Sequence, residues 1–247
     1  MSAPPWQSGV TKDPPGAFNE LRPLRATYNF GWSGLTAAAA EAHFTKPSDS
    51  RFQLEANGHT VGLVRALWRY DVNFHAVSDA STLRPIEASQ NETIRSKKVT
   101  THLSFSSAGV NRSRIENGTP SKGKDFALPN LFDLQSAMLY LRSQPLKDRA
   151  SYRIVVYPAT SAYLATLTVT GREKISVRAG NYNAIKLDLQ LSKVGKGLAL
   201  EPHRKFRKAA IWISDDPDRI ILRIEAQIFV GSIFAELQSV KFDSAKP

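Results

Sequence analysis

The chain has 247 residues, with 33 Lys+Arg against 22 Asp+Glu, a formal charge of +11, and no cysteine. This length suits one large β domain, which needs no disulfide or structural metal to be stable. The lack of cysteine excludes thiolate zinc sites, iron–sulfur clusters and thiol catalysis, and the basic balance favours anionic partners.

The first 23 residues carry Pro4, Pro5, Pro14, Pro15 and Pro23. They are expected to form an extended arm, 1–23, ahead of a single antiparallel β domain, 24–247. The opening "MSAPPWQSGVTKDPPG" has neither the basic flank nor the apolar core of a signal peptide. It fits equally a chain made without one and a mature end from which a leader has been removed. No run reaches the ~18 apolar residues of a helical membrane span.

Period-two alternation dominates the chain beyond this arm. "GLTAAAAEAHF" is ambiguous, because its alanines favour helix while the preceding Tyr28, Phe30 and Trp32 alternate like a strand. In "VRALWRYDVNF", Val64, Ala66, Trp68, Tyr70, Val72 and Phe74 are expected on one face of a strand. "AYLATLTVT", "AIKLDLQLS" and "GSIFAELQS" alternate in the same way. One apolar and one wet face per strand is the mark of antiparallel sheet. Asn57-Gly58, Asn117-Gly118 and Ala179-Gly180-Asn181 read as hairpin turns, and the best internal boundary is a loop near 116–130.

One segment has helical spacing. "LPNLFDLQSAMLYLRSQPL" sets Leu131, Leu134, Met138 and Leu141 three and four apart, predicting a short helix over 131–142. Asn130 or Asp133 can cap it, and Arg142 followed by Pro145 suits its end.

"IWISDDPDRIILRIEA" places Asp215, Asp216 and Asp218 between two alternating apolar runs. Such a polar, proline-containing link reads as a hairpin turn, since Asp side chains bond nearby backbone. A calcium loop would need alternating ligands and a distant glutamate, which are missing here. With Glu173, Asp215 and Asp216 are the acidic candidates for an enzyme, a reading the sequence leans against.

Other motifs dissolve on inspection. "GTPSKGKD" nearly spells a phosphate loop, but Asp125 stands where a hydroxyl should meet magnesium, and Pro120 removes a donor; it reads as a basic loop. "GWSGL" is one residue short of a nucleophile elbow. "GKG" at 195–197 is too short for a dinucleotide fingerprint. His43, His59, His75, His102 and His203 have no metal-ligand spacing. Sequons at Asn91, Asn111 and Asn117 matter only in a eukaryote. The sequence assigns no catalytic residue, metal, cofactor or oligomeric state.

A basic run contains Arg204, Lys205, Arg207 and Lys208, able to grip lipid phosphates or an anionic envelope component. Phe206 is the only aromatic within it, so the stacking platform of single-strand binders is missing and nucleic acid is not expected.

Three stretches together resemble a bacterial family known as domain of unknown function 3108. The matching positions are Asp133, Ser136, Tyr140, Leu141 and Arg142; Gly171, Glu173, Ala179 and Gly180; and Trp212, Ser214, Asp215, Asp216, Arg219 and Gly231. The likeness covers about residues 25–240. It implies an exported protein, periplasmic or outer-membrane-associated, with no established activity, and it tips the alanine-rich stretch toward strand. The expected fold is all-β with one short helix, a large antiparallel β barrel-like or half-barrel architecture. A sheet that wide has room for an apolar or lipid-like ligand, for which Trp68, Phe74, Leu134, Met138 and Leu141 are the expected lining. The alternative is an envelope scaffold that binds anionic partners through the basic face.

Overall fold

In the computed structural model, residues 4–18, 21–202 and 208–243 are described. The strands are β1 (Leu24–Trp32), β2 (Leu35–Ser48), β3 (Arg51–Thr60), β4 (Tyr70–Asp79), β5 (Pro85–Ile94), β6 (Lys97–Ser106), β7 (Gly109–Glu116) and β8 (Thr119–Phe126). After them come β9 (Leu131–Phe132), β10 (Ser151–Val156), β11 (Ala162–Val177), β12 (Gly180–Val194), β13 (Leu200–Pro202), β14 (Lys208–Ser214), β15 (Ile221–Gln227) and β16 (Ser232–Phe242). Among the described residues two α-helices interrupt them, α1 (Gly62–Leu67) and α2 (Leu134–Ser143).

All sixteen of these strands belong to one sheet, ordered β8-β7-β6-β5-β4-β3-β2-β1-β16-β15-β14-β12-β11-β10-β9, with β13 beside β12. Every pairing among the described residues is antiparallel except that of β9 with β10. The sheet is not closed, and its two edges are β8 and β9. It nevertheless curls on itself. Ala76, Ala88, Leu103 and Val110 of β4–β7 share a packed cluster with Val155, Leu164 and Val194 from the opposite flank. Burying each large aliphatic side chain contributes about 1.5–3 kcal/mol, so a common inner face is what draws the flanks together. The result is the half-barrel architecture that the family resemblance implies, built from the antiparallel strands that alternation predicts.

The helix forms where the spacing places it, but begins later. Leu131 and Phe132 are strand residues, and the helix starts after Asp133. Asp133 Oδ1 accepts from the Ser136 amide at 2.6 Å, and Ser136 Oγ accepts from the Asp133 amide at 3.0 Å. This reciprocal capping box satisfies two of the donors that a helix start leaves open. The buried face of α2 carries Gln135, Ser136, Ala137, Leu139, Tyr140, Leu141, Arg142 and Ser143, whereas Leu134 faces solvent. The helix seals one end of the curl: Leu139 packs with Leu24, Phe44, Phe52 and Leu222, and Tyr140 and Leu141 pack with Ile185, Leu187 and Ile211.

Several expectations need correction. Val64, Ala66 and Trp68 do not alternate on a strand, because residues 62–67 form α1 and β4 starts at Tyr70. Asn57-Gly58 does not turn; it lies within β3, facing Asn73 and Val72 of β4, and the β2–β3 turn comes earlier, at residues 49–50. The segment near 116–130 is no boundary, because Asn117 (φ 49°) and Gly118 (φ 81°) make a two-residue hairpin turn that continues the sheet into β8. "GTPSKGKD" is therefore an exposed edge strand and not a loop. "GWSGL" is likewise a hairpin, with Ser33 (φ 46°) and Gly34 (φ 85°) at its tip.

Among the described residues no strand precedes Leu24, and Pro5–Gly9 forms a single 3₁₀ turn. The segment before β1 is bonded to the body: Trp6 Nε1 donates to the Leu198 carbonyl at 2.8 Å, and Tyr140 Oη donates to the Asp13 carbonyl at 3.0 Å. Thr11 pairs with Arg153 through its amide and its hydroxyl.

Candidate functional site

The aspartate cluster sits on the β14–β15 turn, and each carboxylate is occupied by protein. Asp216 Oδ1 accepts from Ser214 Oγ at 2.8 Å and from the amides of Asp218 and Arg219 at 3.0 and 3.1 Å. Asp215 pairs with Arg172 at 3.0 Å and with Arg219 at 3.2 Å. The Asp218 carboxylate holds Arg22 through Nε and Nη2 at 2.8 and 2.7 Å. Glu173 Oε1 accepts from Trp212 Nε1 at 2.5 Å. The cluster turns the chain and ties two distant segments, at Arg22 and Arg172, to the turn. Among the described residues, no group of three or more His, Asp or Glu could hold a metal ion.

Behind this turn lies a buried cation. The Arg142 side chain donates from Nε to the Arg219 carbonyl and from Nη2 to the Asp218 carbonyl, both at 2.8 Å. Burial lowers its proton affinity, while Tyr28, Asp218 and Asp216 raise it. Burial pushes the Tyr28 phenol up to about 12 against the opposing pull of Arg142, and Tyr28 Oη donates to the Ile221 carbonyl at 2.9 Å.

The inner face of the curl changes character from one rung to the next. One rung runs Leu24–Phe44–Leu54–Ala76–Ala88–Leu103 across β1–β6, and all but Leu54 are buried. The next rungs are Ala26–Ala42–Ala56–Phe74–Gln90 and Tyr28–Ala40–Gly58–Val72–Glu92; their centres at Ala42, Ala56, Ala40 and Gly58 are small, and all but the buried Ala26 are half-buried. A final rung pairs Phe30 with Ala38 and Ala38 with Thr60. Neither Ala40, Ala42, Ala56 nor Val72 joins any of the three packed clusters. Alanine is an uncommon strand residue, and its single methyl gives this part of the wall a lower profile than leucine or phenylalanine would. At the far side of this wall, Tyr70 Oη donates to Glu92 Oε1 at 2.8 Å, and burial together with that carboxylate raises the phenol's proton affinity.

The expected lining residues are scattered by this geometry. Phe74 stands on the inner wall beside Ala56. Leu141 is core, and Met138 packs partly buried against the same cluster. Leu134 and Trp68 point outward, about half exposed, Trp68 with the Arg95 guanidinium 4.5 Å above its ring. In the basic run, Lys208 opens β14 and is exposed; Arg204, Lys205 and Arg207 lie outside the described residues. Sequence reasoning does not single out the alanine wall, because alanines carry no chemistry, though "TAAAAEA" is its visible trace. On the outer face, Glu55, Asn57, Asn73, His75, Ser89 and Asn91 line a shallow polar depression of about 200 Å3.

The sequence profile of the proteins of unknown function called DUF3108 matches residues 25–238. The chain belongs to the DUF3108 family. Among curated proteins, no relative matches this DUF3108 member. Its fold is similar to that of the β-barrel-like DUF1849 protein from Brucella abortus, at TM-score 0.65 and 12% identity, over 91% of this chain and 99% of that one. Two weaker likenesses are to a candidate exported protein of YmcC-like fold from Bacteroides fragilis and a candidate lipoprotein from Parabacteroides distasonis. The first has TM-score 0.32 and 11% identity over 88% and 95% of the two chains; the second has 0.36 and 9% over 93% and 100%. No helix of this DUF3108 member among the described residues is long and apolar enough to cross a membrane.

Proposed function

We propose that this protein is a non-enzymatic β-barrel-like protein of the bacterial envelope that holds an apolar, lipid-like ligand against the inner wall of its open sheet. The observation that carries this reading is the pair of half-buried rungs at Ala42–Ala56–Phe74 and Ala40–Gly58–Val72. These small apolar residues lie on a concave face that α2 covers elsewhere. An acyl chain laid along such a wall would remove apolar surface from water at about 25 cal/mol per Å2. A wide, incompletely filled β architecture supports this use. Envelope residence is what the family resemblance implies.

The test is extraction of the purified full-length chain into organic solvent followed by mass spectrometry. A stoichiometric lipid is expected from the native chain, and its loss from an Ala42→Trp variant, which fills the wall. A clean blank from the native chain would discard the reading.

A further inference from the structure

We propose that the end of the sheet bearing α1 docks on an anionic lipid surface. Three connections far apart in sequence meet there: the β1–β2 turn, the β3–β4 link with α1, and the β15–β16 turn. Trp32 Nε1 donates to the Val230 carbonyl at 2.8 Å, the Ser33 amide to the Ser232 carbonyl at 2.7 Å, and the Val61 amide to the Ala37 carbonyl at 2.9 Å. These bonds lock the three connections into one rim. On it Trp32, Leu35, Leu63, Leu67, Trp68 and Val230 are between 45% and 76% exposed. Single exposed leucines are ordinary on any surface, but six large apolar residues gathered from three connections are not.

The chemistry around them selects the partner. Residues 30–38, 61–69 and 227–234 contain no Asp or Glu, and the adjoining β5–β6 turn and the start of β6 add Arg95, Lys98 and Lys97, the last of them paired with Glu116. Arg65 within α1 and Arg69 just beyond it share Asp71 of β4, at 2.7 and 3.1 Å. Arg95 stacks over Trp68. Tryptophan at the level of the headgroups, leucine beneath them and arginine reaching phosphate form the pattern of an interfacial, non-spanning anchor. Their long stems let the arginines keep charge in water while the apolar side chains sink. Docking at this rim is independent of the alanine wall: vesicle binding can succeed with an empty interior, and lipid can be extracted from a chain that binds no vesicle.

The test is co-flotation of the full chain with vesicles of phosphatidylglycerol and phosphatidylcholine, and with phosphatidylcholine alone. Flotation with the anionic vesicles is expected, falling about tenfold in a Leu63→Ser/Leu67→Ser variant whose circular dichroism and melting temperature match the parent. Arg95→Ser should weaken binding to the anionic vesicles alone. The proposal is overturned if the parent does not float with anionic vesicles, or if the double leucine variant floats as well as the parent. It is also overturned if the chain, without floating, forms a dimer in sedimentation that the leucine variant abolishes, since the rim would then be a protein interface.

Discussion

Arg142 and Asp218 are joined backbone to side chain: Nη2 of the buried guanidinium donates to the Asp218 carbonyl at 2.8 Å, while the Asp218 carboxylate grips Arg22 on the surface. One residue of the β14–β15 turn thus connects the end of α2 to the segment entering β1. The geometry makes Arg142 a structural clamp. Arg142→Ala should cost about 2–4 kcal/mol, because it opens a cavity and leaves two turn carbonyls short of donors. Arg142→Lys should not restore the loss, since one ammonium cannot reproduce the fork that reaches both carbonyls. Urea midpoints decide this; a lysine variant as stable as the parent refutes the clamp.

Asp216 works through backbone geometry and not through ions. Removing its carboxylate in Asp216→Ala strips acceptors from Ser214, Asp218 and Arg219, at an expected cost of about 1–2 kcal/mol. Asp216→Asn keeps an oxygen in place and should retain most of the stability. Millimolar calcium should leave the melting temperature unchanged; an upward shift would show the turn to be an ion site after all.

Asp133 predicts a pH dependence opposite to that of most carboxylates. Burial pushes it up to about 6 from an ordinary 3.8, overcoming the hydrogen bonds from Ser136 that favour the ionised form. The folded state therefore binds this proton more tightly than the unfolded chain does. The resulting stability is fully present below pH 3.8 and is lost as pH rises through about 6. The loss amounts to about 2–3 kcal/mol. Asp133→Asn keeps a capping oxygen and should flatten this fall. Denaturation at pH 4, 5, 6 and 7 checks it, and equal slopes for the two chains would contradict the account.

The edge strand β8 should be a guarded one. Its residues from Thr119 to Asp125 are exposed and include Pro120, Lys122, Gly123 and Lys124. Such residues discourage pairing with another chain's edge. Lys122→Val/Lys124→Val should leave the fold intact at low concentration yet promote aggregation, seen by light scattering. A variant as soluble as the parent would show that something else protects the edge.

Local rules are legible in the order of the residues. Alternation in "AIKLDLQLS" made β12, the Asp133–Ser136 pair started α2, and three aspartates between isoleucine runs made a turn. These features depend on interactions within a few residues, which adjacent letters display. Tertiary structure alone decided which faces are covered. Leu134 has the helical spacing of a core residue yet faces water, while Arg142, a polar letter, is buried against a turn 76 residues away. Residues 64–67 read as the start of an alternating strand but belong to α1, whose exposed leucines complete a rim with turns from both ends of the chain. The alanines of β2 line an inner wall because β1 and β3 set Ala26, Ala56 and Gly58 beside them. Side-chain periodicity says that a face exists; only the curl of the whole sheet and the placement of α2 determine what that face meets.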